Sequence, residues 1–289
     1  MSAARYSMLL MIAFGVLWAV LEAVATHLSH AYSPYQVVWT RYAVHLGFML
    51  AVWGWRQPLS LVKTHRPVFQ FGRSALMLIM PASFVVGLTR GLDRDTLMAV
   101  FWVTPLLILA FSAIFLRETA TFMLSLAAGS AVAGAMLLSS PEHAPPSIRS
   151  LLWPLVMAGS FSLYVVMTRS LRTESTRANL FYTALGVFLA LSPLMPAVWV
   201  TPTLHDLAVM VAIGLLGWVS LYCLDRMAAD APVTEVAHLS AVQVVAVVVL
   251  GTLAGHFQPR PEIWAGLALI VGAALLTWWR APALKVQAI

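Results

Sequence analysis

Apolar residues run along this chain in long unbroken blocks, not in alternation and not at every third or fourth position. Ten blocks can be marked off, at 7–28, 34–54, 73–90, 96–116, 121–139, 149–168, 177–200, 204–224, 234–255 and 262–279. A helix rises about 1.5 Å per residue, so roughly 20 apolar residues cross a hydrocarbon layer about 30 Å thick. The pattern predicts an all-α integral membrane fold of ten transmembrane helices. Helix punctuation falls between the blocks: Pro34 follows Ser33, Asp93 and Asp95 precede the fourth block, and Pro232 and Pro261 precede the ninth and tenth. The longest polar stretch, Pro141 to Ser150, is too short for a water-soluble domain.

Composition agrees with the pattern. Of the 289 residues, 61% are apolar and 10% charged, against about 45–50% and about 25% in soluble domains. That balance, with a mean hydropathy of +0.87, excludes a soluble enzyme, a secreted disulfide scaffold and a disordered chain. The one cysteine, Cys223, leaves packing to hold the fold.

The net charge of +6 does not point to nucleic acid, because the basic residues sit between apolar blocks and form no common face. Membrane lipid is the expected surrounding partner. With the N-terminus inside, inner segments hold Arg5, Arg56, Lys63, Arg66, Arg73, Arg117, Arg169, Arg172, Arg177, Arg226, Arg280 and Lys285. The outer ones hold Arg90, Arg94, Arg149 and Arg260. This positive-inside bias predicts a multi-pass protein of a bacterial inner membrane with both termini cytoplasmic. Block one imitates a signal peptide through Arg5 and Ala23-Val24-Ala25. Glu22 beside the supposed cleavage site and the full span length argue that it is retained.

Sliding the sequence against itself by 138 positions aligns block four with nine and five with ten. Thr96 falls on Thr234, Ala99 on Ala237, Ala127 on Ala265, Gly134-Ala135 on Gly272-Ala273 and Leu137-Leu138 on Leu275-Leu276. Each half supplies five blocks, and an odd number inverts the second half relative to the first. Inverted repeats of this kind are a transporter signature, with a substrate site near the midplane between the halves.

The sequence here resembles a known family. Residues 104–138 carry Thr104-Pro105 inside an apolar helix, Leu116-Arg117-Glu118 at its end and then a Gly-rich helix, which is similar to an EamA repeat of the drug/metabolite transporter superfamily. Pro34 to Leu50, with Arg41 among apolar residues, resembles that family's second helix. The resemblance implies two five-helix repeats, at 1–140 and 141–289, and a transporter of small organic metabolites working by alternating access, in many members an exporter. The second half departs from the pattern by placing Gln243 and His256 where the repeat carries Pro and Glu.

Polar residues inside the blocks are the candidate site, since an ionisable group at the bilayer centre costs about 2.5–3.5 kcal/mol on insertion scales. Glu22 and Arg41 lie at similar depth in the first two blocks, with His45 one turn below Arg41 on the same face. They form either an ion pair joining two helices or a proton-coupling and substrate-binding set with Glu22 as the coupling group. His238 and Gln243 in block nine, Trp102 and Thr104 in block four, Ser160, Ser162 and Tyr164 in block six, and Trp218 and Tyr222 in block eight are the further cavity candidates. Glu235 follows Pro232 and is read as stabilising a helix start. Trp53, Trp55, Trp278 and Trp279 sit at block ends as interfacial anchors. Ser130 with Gly134 and Gly251 with Gly255 are close-packing pairs.

The chain has no phosphate-binding G-x-x-x-x-G-K-[ST] run, no H-E-x-x-H and no G-x-S-x-G. No cofactor, bound metal or enzymatic chemistry is therefore expected. The sequence predicts a secondary transporter, read as an exporter, of a small zwitterionic or amphipathic metabolite such as an amino acid, an amino-acid derivative or a metallophore. An importer or exchanger of anionic metabolites and a non-transporting membrane scaffold are the alternatives.

Overall fold

The computed structural model describes residues 2–139, 147–255 and 260–281. His256 and Lys285 lie outside the described residues. Among those described, the chain is helical without a strand, and eight helices are long and apolar enough to cross a bilayer. They are α1 (Ala3–Leu28), α3 (Pro67–Thr89), α4 (Arg94–Leu116), α5 (Phe122–Ser139), α6 (Ile148–Ser170), α7 (Thr176–Val198), α8 (Leu204–Asp230) and α10 (Pro261–Arg280). Two shorter elements complete the set. These are α2 (Pro34–Met49), which runs on into a π-helical turn at Leu50–Gly54, and the apolar α9 (Ala237–Leu253). The chain is an all-α, multi-pass membrane protein.

The starts follow from local chemistry, because the first turn of a helix leaves backbone N–H groups without partners. Ser33 accepts from Tyr35 N ahead of Pro34, Asp93 accepts from Thr96 N at 2.6 Å, and Thr203 accepts from Asp206 N at 3.1 Å. Pro261 opens α10, where its missing N–H costs nothing.

Helix α4 is interrupted at Trp102 and Val103. Pro105 has no N–H for the carbonyl of Phe101, and the Thr104 hydroxyl donates to that carbonyl instead, at 2.5 Å. Its sequence counterpart α9 also starts irregularly, with a 3₁₀ stretch from Ala237 to Ala241.

Helix α1 packs on α8 and α9, α3 on α6 and α7, α2 on α7 and α8, α4 on α6, and α5 on α10. Two of these contacts depend on glycine. A Cβ on Gly134 of α5 would lie 2.7 Å from the Gly266 carbonyl oxygen of α10, and one on Gly266 would meet the Gly134 carbonyl at the same distance.

Candidate functional site

A cavity of about 470 Å³ opens at the end of the bundle that carries the α1–α2 and α3–α4 connections. Its walls come from α1, α2, α3, α4 and α6. Most of the lining is apolar, including Trp18, Leu21, Met80, Phe84, Met98 and Met157, and its charged groups are Glu22, Arg41 and Arg94. Such a chamber, apolar with a few fixed polar groups, is the usual form of a small-molecule site.

Glu22 and Arg41 are not a direct ion pair. Ion pairs among the described residues include His65–Glu174, Arg73–Asp225, Arg169–Glu118 and Arg226–Asp230. Trp18 joins Glu22 to Arg41. Its indole Nε1–H donates to Glu22 Oε1 at 3.0 Å, and its ring carries the Arg41 guanidinium carbon 5.2 Å from the ring centre. On α9, Gln243 Nε2–H donates to Glu22 Oε2 at 3.0 Å. Each carboxylate oxygen thus receives a neutral donor, one from α1 itself and one from the other half of the chain. The approach of α9 depends on Gly15, where a Cβ would stand 3.1 Å from the Gln243 backbone nitrogen.

Arg41 is held by its faces and its stem. The guanidinium also lies 4.7 Å from the centre of the Tyr42 ring, and Gly217 of α8 leaves room for the stem, a Cβ there standing 3.2 Å from Arg41 Cδ. Cation–π contact of this sort holds a guanidinium without using its N–H groups. Below it, the Tyr42 hydroxyl and His45 Nε2 are buried without hydrogen-bond partners, the two rings being stacked with centroids 6.1 Å apart.

The opposite end of the bundle is closed by a polar cluster absent from the sequence expectations. Arg73 of α3 has no solvent exposure. Its Nη1 donates to Thr168 Oγ1 at 2.9 Å and to Asp225 Oδ1 at 3.4 Å. Its Nη2 donates to Gln70 Oε1 at 3.2 Å, Asn179 O at 2.6 Å and Thr183 Oγ1 at 2.8 Å. Gln70 donates to Asn179 Oδ1 at 2.6 Å, and Asn179 donates to Asp225 Oδ2 at 3.2 Å. The ring ties α3, α6, α7 and α8 together. Nearby, Arg169 donates to Glu118 Oε1 at 2.8 Å and to the carbonyls of Ala228 and Ala229. Glu118 in turn accepts from Val233 N at 3.1 Å.

The remaining expected site residues are dispersed. Tyr164 belongs to the closed end, its ring 5.1 Å under Arg73 and its hydroxyl 3.5 Å from Thr183 Oγ1. Ser162 donates to the carbonyls of Thr104 and Ala158 and so stitches α6 to α4. Trp102 is buried in the core against Phe101, and Ser160 is buried on α6. His238 Nε2 pairs with Thr277 Oγ1 of α10 at 2.8 Å, away from the cavity. Trp218 and Tyr222 do not line the cavity either. They stack on each other at 5.9 Å, and Trp218 packs on Phe48 at 4.8 Å. Trp218 thus finds aromatic partners toward α2, while Tyr222 stacks on Trp218 and remains exposed. Among the described residues no three His, Cys, Asp or Glu side chains stand close enough to hold a metal ion.

The fold and cavity together define a multi-pass membrane protein with a mostly apolar chamber open at one end of the bundle. Residues 5–140 match the model of the EamA-like transporter family. No curated protein matches the sequence. A protein known from its crystal structure superimposes with a TM-score of 0.83 at 22% identity, over 96% of this chain and 98% of that one. At that identity the likeness speaks for the fold, and it does so over nearly the whole length.

Proposed function

We propose that this chain is a secondary transporter that moves a small zwitterionic or amphipathic metabolite across a bacterial inner membrane, outward, by alternating access. The observation that carries the reading is a charged, mostly apolar cavity open at one end of the bundle and shut at the other by the buried ring around Arg73. A site reachable from one side at a time is what alternating access requires.

The reading includes ten spans in two inverted repeats, 1–140 and 141–289, with both termini cytoplasmic. Two features support it. The π turn at Leu50–Gly54 lengthens α2 toward span length. Exchanging α1–α5 with α6–α10 one for one also maps the main helix contacts onto themselves: α1 with α8 becomes α6 with α3, α2 with α8 becomes α7 with α3, and α1 with α9 becomes α6 with α4. With this orientation the cavity faces outward and the Arg73 ring is the cytoplasmic seal. Substrate contacts fall to Glu22 and Arg41, Glu22 being the candidate for proton coupling. Nothing in the arrangement calls for covalent chemistry.

The test is metabolite profiling of medium and cytoplasm with and without expression of the protein. A compound enriched outside and depleted inside supports export and names its class. Accumulation inside reverses the direction. No change in either compartment, with the protein in the membrane and a broad nutrient supply, counts against transport.

A further inference from the structure

We propose that the cavity takes a ligand of net negative charge, an amphipathic organic carboxylate, with Arg41 as the group that holds its carboxylate. The inference rests on reading the cavity as the substrate site and narrows its substrate class.

Three observations carry it. The first is the charge sum: Arg41 and Arg94 line the chamber against one acid, Glu22, so with Glu22 ionised one positive charge is left over. Asp93 and Asp95 flank Arg94 in sequence, and neither lines the chamber. The second is the way Arg41 is held. Its only exposure is a residual 9%, and Trp18 and Tyr42 carry the guanidinium through their rings. Among the described residues no protein acceptor takes a hydrogen bond from its N–H groups, and those groups lie in the plane of the fork that matches a carboxylate bidentately. By contrast, the Arg73 guanidinium at the closed end makes five hydrogen bonds to protein oxygens. One buried arginine thus commits both terminal nitrogens to protein oxygens, its Nε alone lacking a partner, and the other lines a chamber.

The third observation concerns Glu22. Trp18 and Gln243 already donate to its two oxygens, so its charge is partly met without a ligand amine. A ligand ammonium would add positive charge to a chamber that already has an excess. The rest of the ligand meets Leu21, Met80, Phe84, Met98 and Met157. Three of these are unbranched thioethers that adapt to differing apolar shapes, so selectivity resides in the charged head more than in the body.

The experiment uses four probes of one shape with different charge: 4-methylpentanoate, leucine, 4-methylpentanamide and 3-methylbutan-1-amine. Each of the four is bound in radiolabelled form to the purified full-length protein, and the dissociation constants are compared. The carboxylate is expected to bind at least about tenfold more tightly than the amide or the amine, and more tightly than leucine. Arg41→Gln is expected to erase that advantage, while Arg41→Lys keeps the order at lower affinity. Should Arg41→Gln fail to fold, the order of the four probes on the unaltered protein decides. Leucine or the amine binding more tightly than the carboxylate overturns this proposal and leaves the cavity as substrate site. No saturable binding by any of the four overturns both.

Discussion

Arg73 of α3 and Asp225 of α8 face each other across 3.4 Å with almost no exposure, 0% and 4%. They come from opposite halves of the chain and lie at the end of the bundle away from the cavity. A charge pair so placed has lost its water, so each partner depends on the other and on the ring of amides and hydroxyls around them.

Breaking that pair on one side is expected to be costly. Asp225→Asn keeps the shape but leaves the Arg73 charge without its partner, a loss of about 3–5 kcal/mol. The expected result is a clear fall in the thermal unfolding midpoint of the detergent-solubilised protein. Arg73→Met combined with Asp225→Leu is expected to recover most of it, because no lone buried charge remains. A single variant as stable as the parent would mean that the pair does not hold this end shut.

Glu22 offers a separate test of transport. Glu22→Gln keeps an acceptor for Trp18 and a similar volume, so the protein is expected to reach the membrane at normal levels. Export of the compound found by metabolite profiling is expected to fall at least about tenfold. Lost protein instead of lost transport would make Glu22 a structural residue.

Glycine at the Arg41 seat is testable without touching Arg41. Gly217→Val places methyl groups beyond a Cβ position already 3.2 Å from Arg41 Cδ and 3.3 Å from Leu21 Cδ1. The guanidinium is expected to leave its place over Trp18, and carboxylate binding to drop about tenfold while the fold survives. Binding assays on the purified variant read this directly. Gly134→Val meets the Gly266 carbonyl instead of a flexible stem, and is expected to cost stability, about 1–3 kcal/mol, because α5 and α10 must separate.

The α1–α2 connection supplies a pH-dependent contact. Tyr32 donates its hydroxyl to Asp206 Oδ2 at 2.7 Å, and this hydrogen bond to a carboxylate pushes the phenol above the ordinary tyrosine range. The contact is then present in full below about pH 10, the ordinary value, and is lost as pH climbs through the raised value of the folded protein. The difference between ultraviolet titrations of the parent and of Tyr32→Phe is expected to show a phenol that ionises above the ordinary value. An ordinary titration at that position would refute the contact.

Span-length runs of apolar residues made the helices legible, and most ends fall within a few residues of expectation. The exception is instructive. The apolar pattern starts block three at Arg73, counted among the inner basic residues, whereas α3 begins at Pro67 and buries Arg73 one to two turns in. Asp225 falls just beyond block eight, which ends at 224, whereas α8 runs on to Asp230 and buries it. Hydropathy reports the cost of a charge but not the partners that offset it, and those partners, Thr168, Asn179 and Thr183, lie about a hundred residues away in sequence. Glu22 and Gln243 were each visible as polar residues in apolar helices, but nothing local could say that they touch. Trp218 and Tyr222 show the converse limit, for a helix face that looks fit for a cavity serves equally well for packing on another helix.

The break in α4 has a consequence for how the molecule moves. Where Trp102 and Val103 leave the helical path, the Phe101 carbonyl is already bound by a side chain and Pro105 has no N–H to offer. The regular bond from Pro105 to Phe101 is therefore absent, while Val103 N–H donates to Val100 O at 3.2 Å across the joint. Stiffness therefore resides in the two rods on either side, Arg94–Phe101 and Thr104–Phe111, and compliance in the joint between them. The cavity-side rod and the rod leading to Glu118 thus meet at a joint that lacks one of the bonds of a continuous helix.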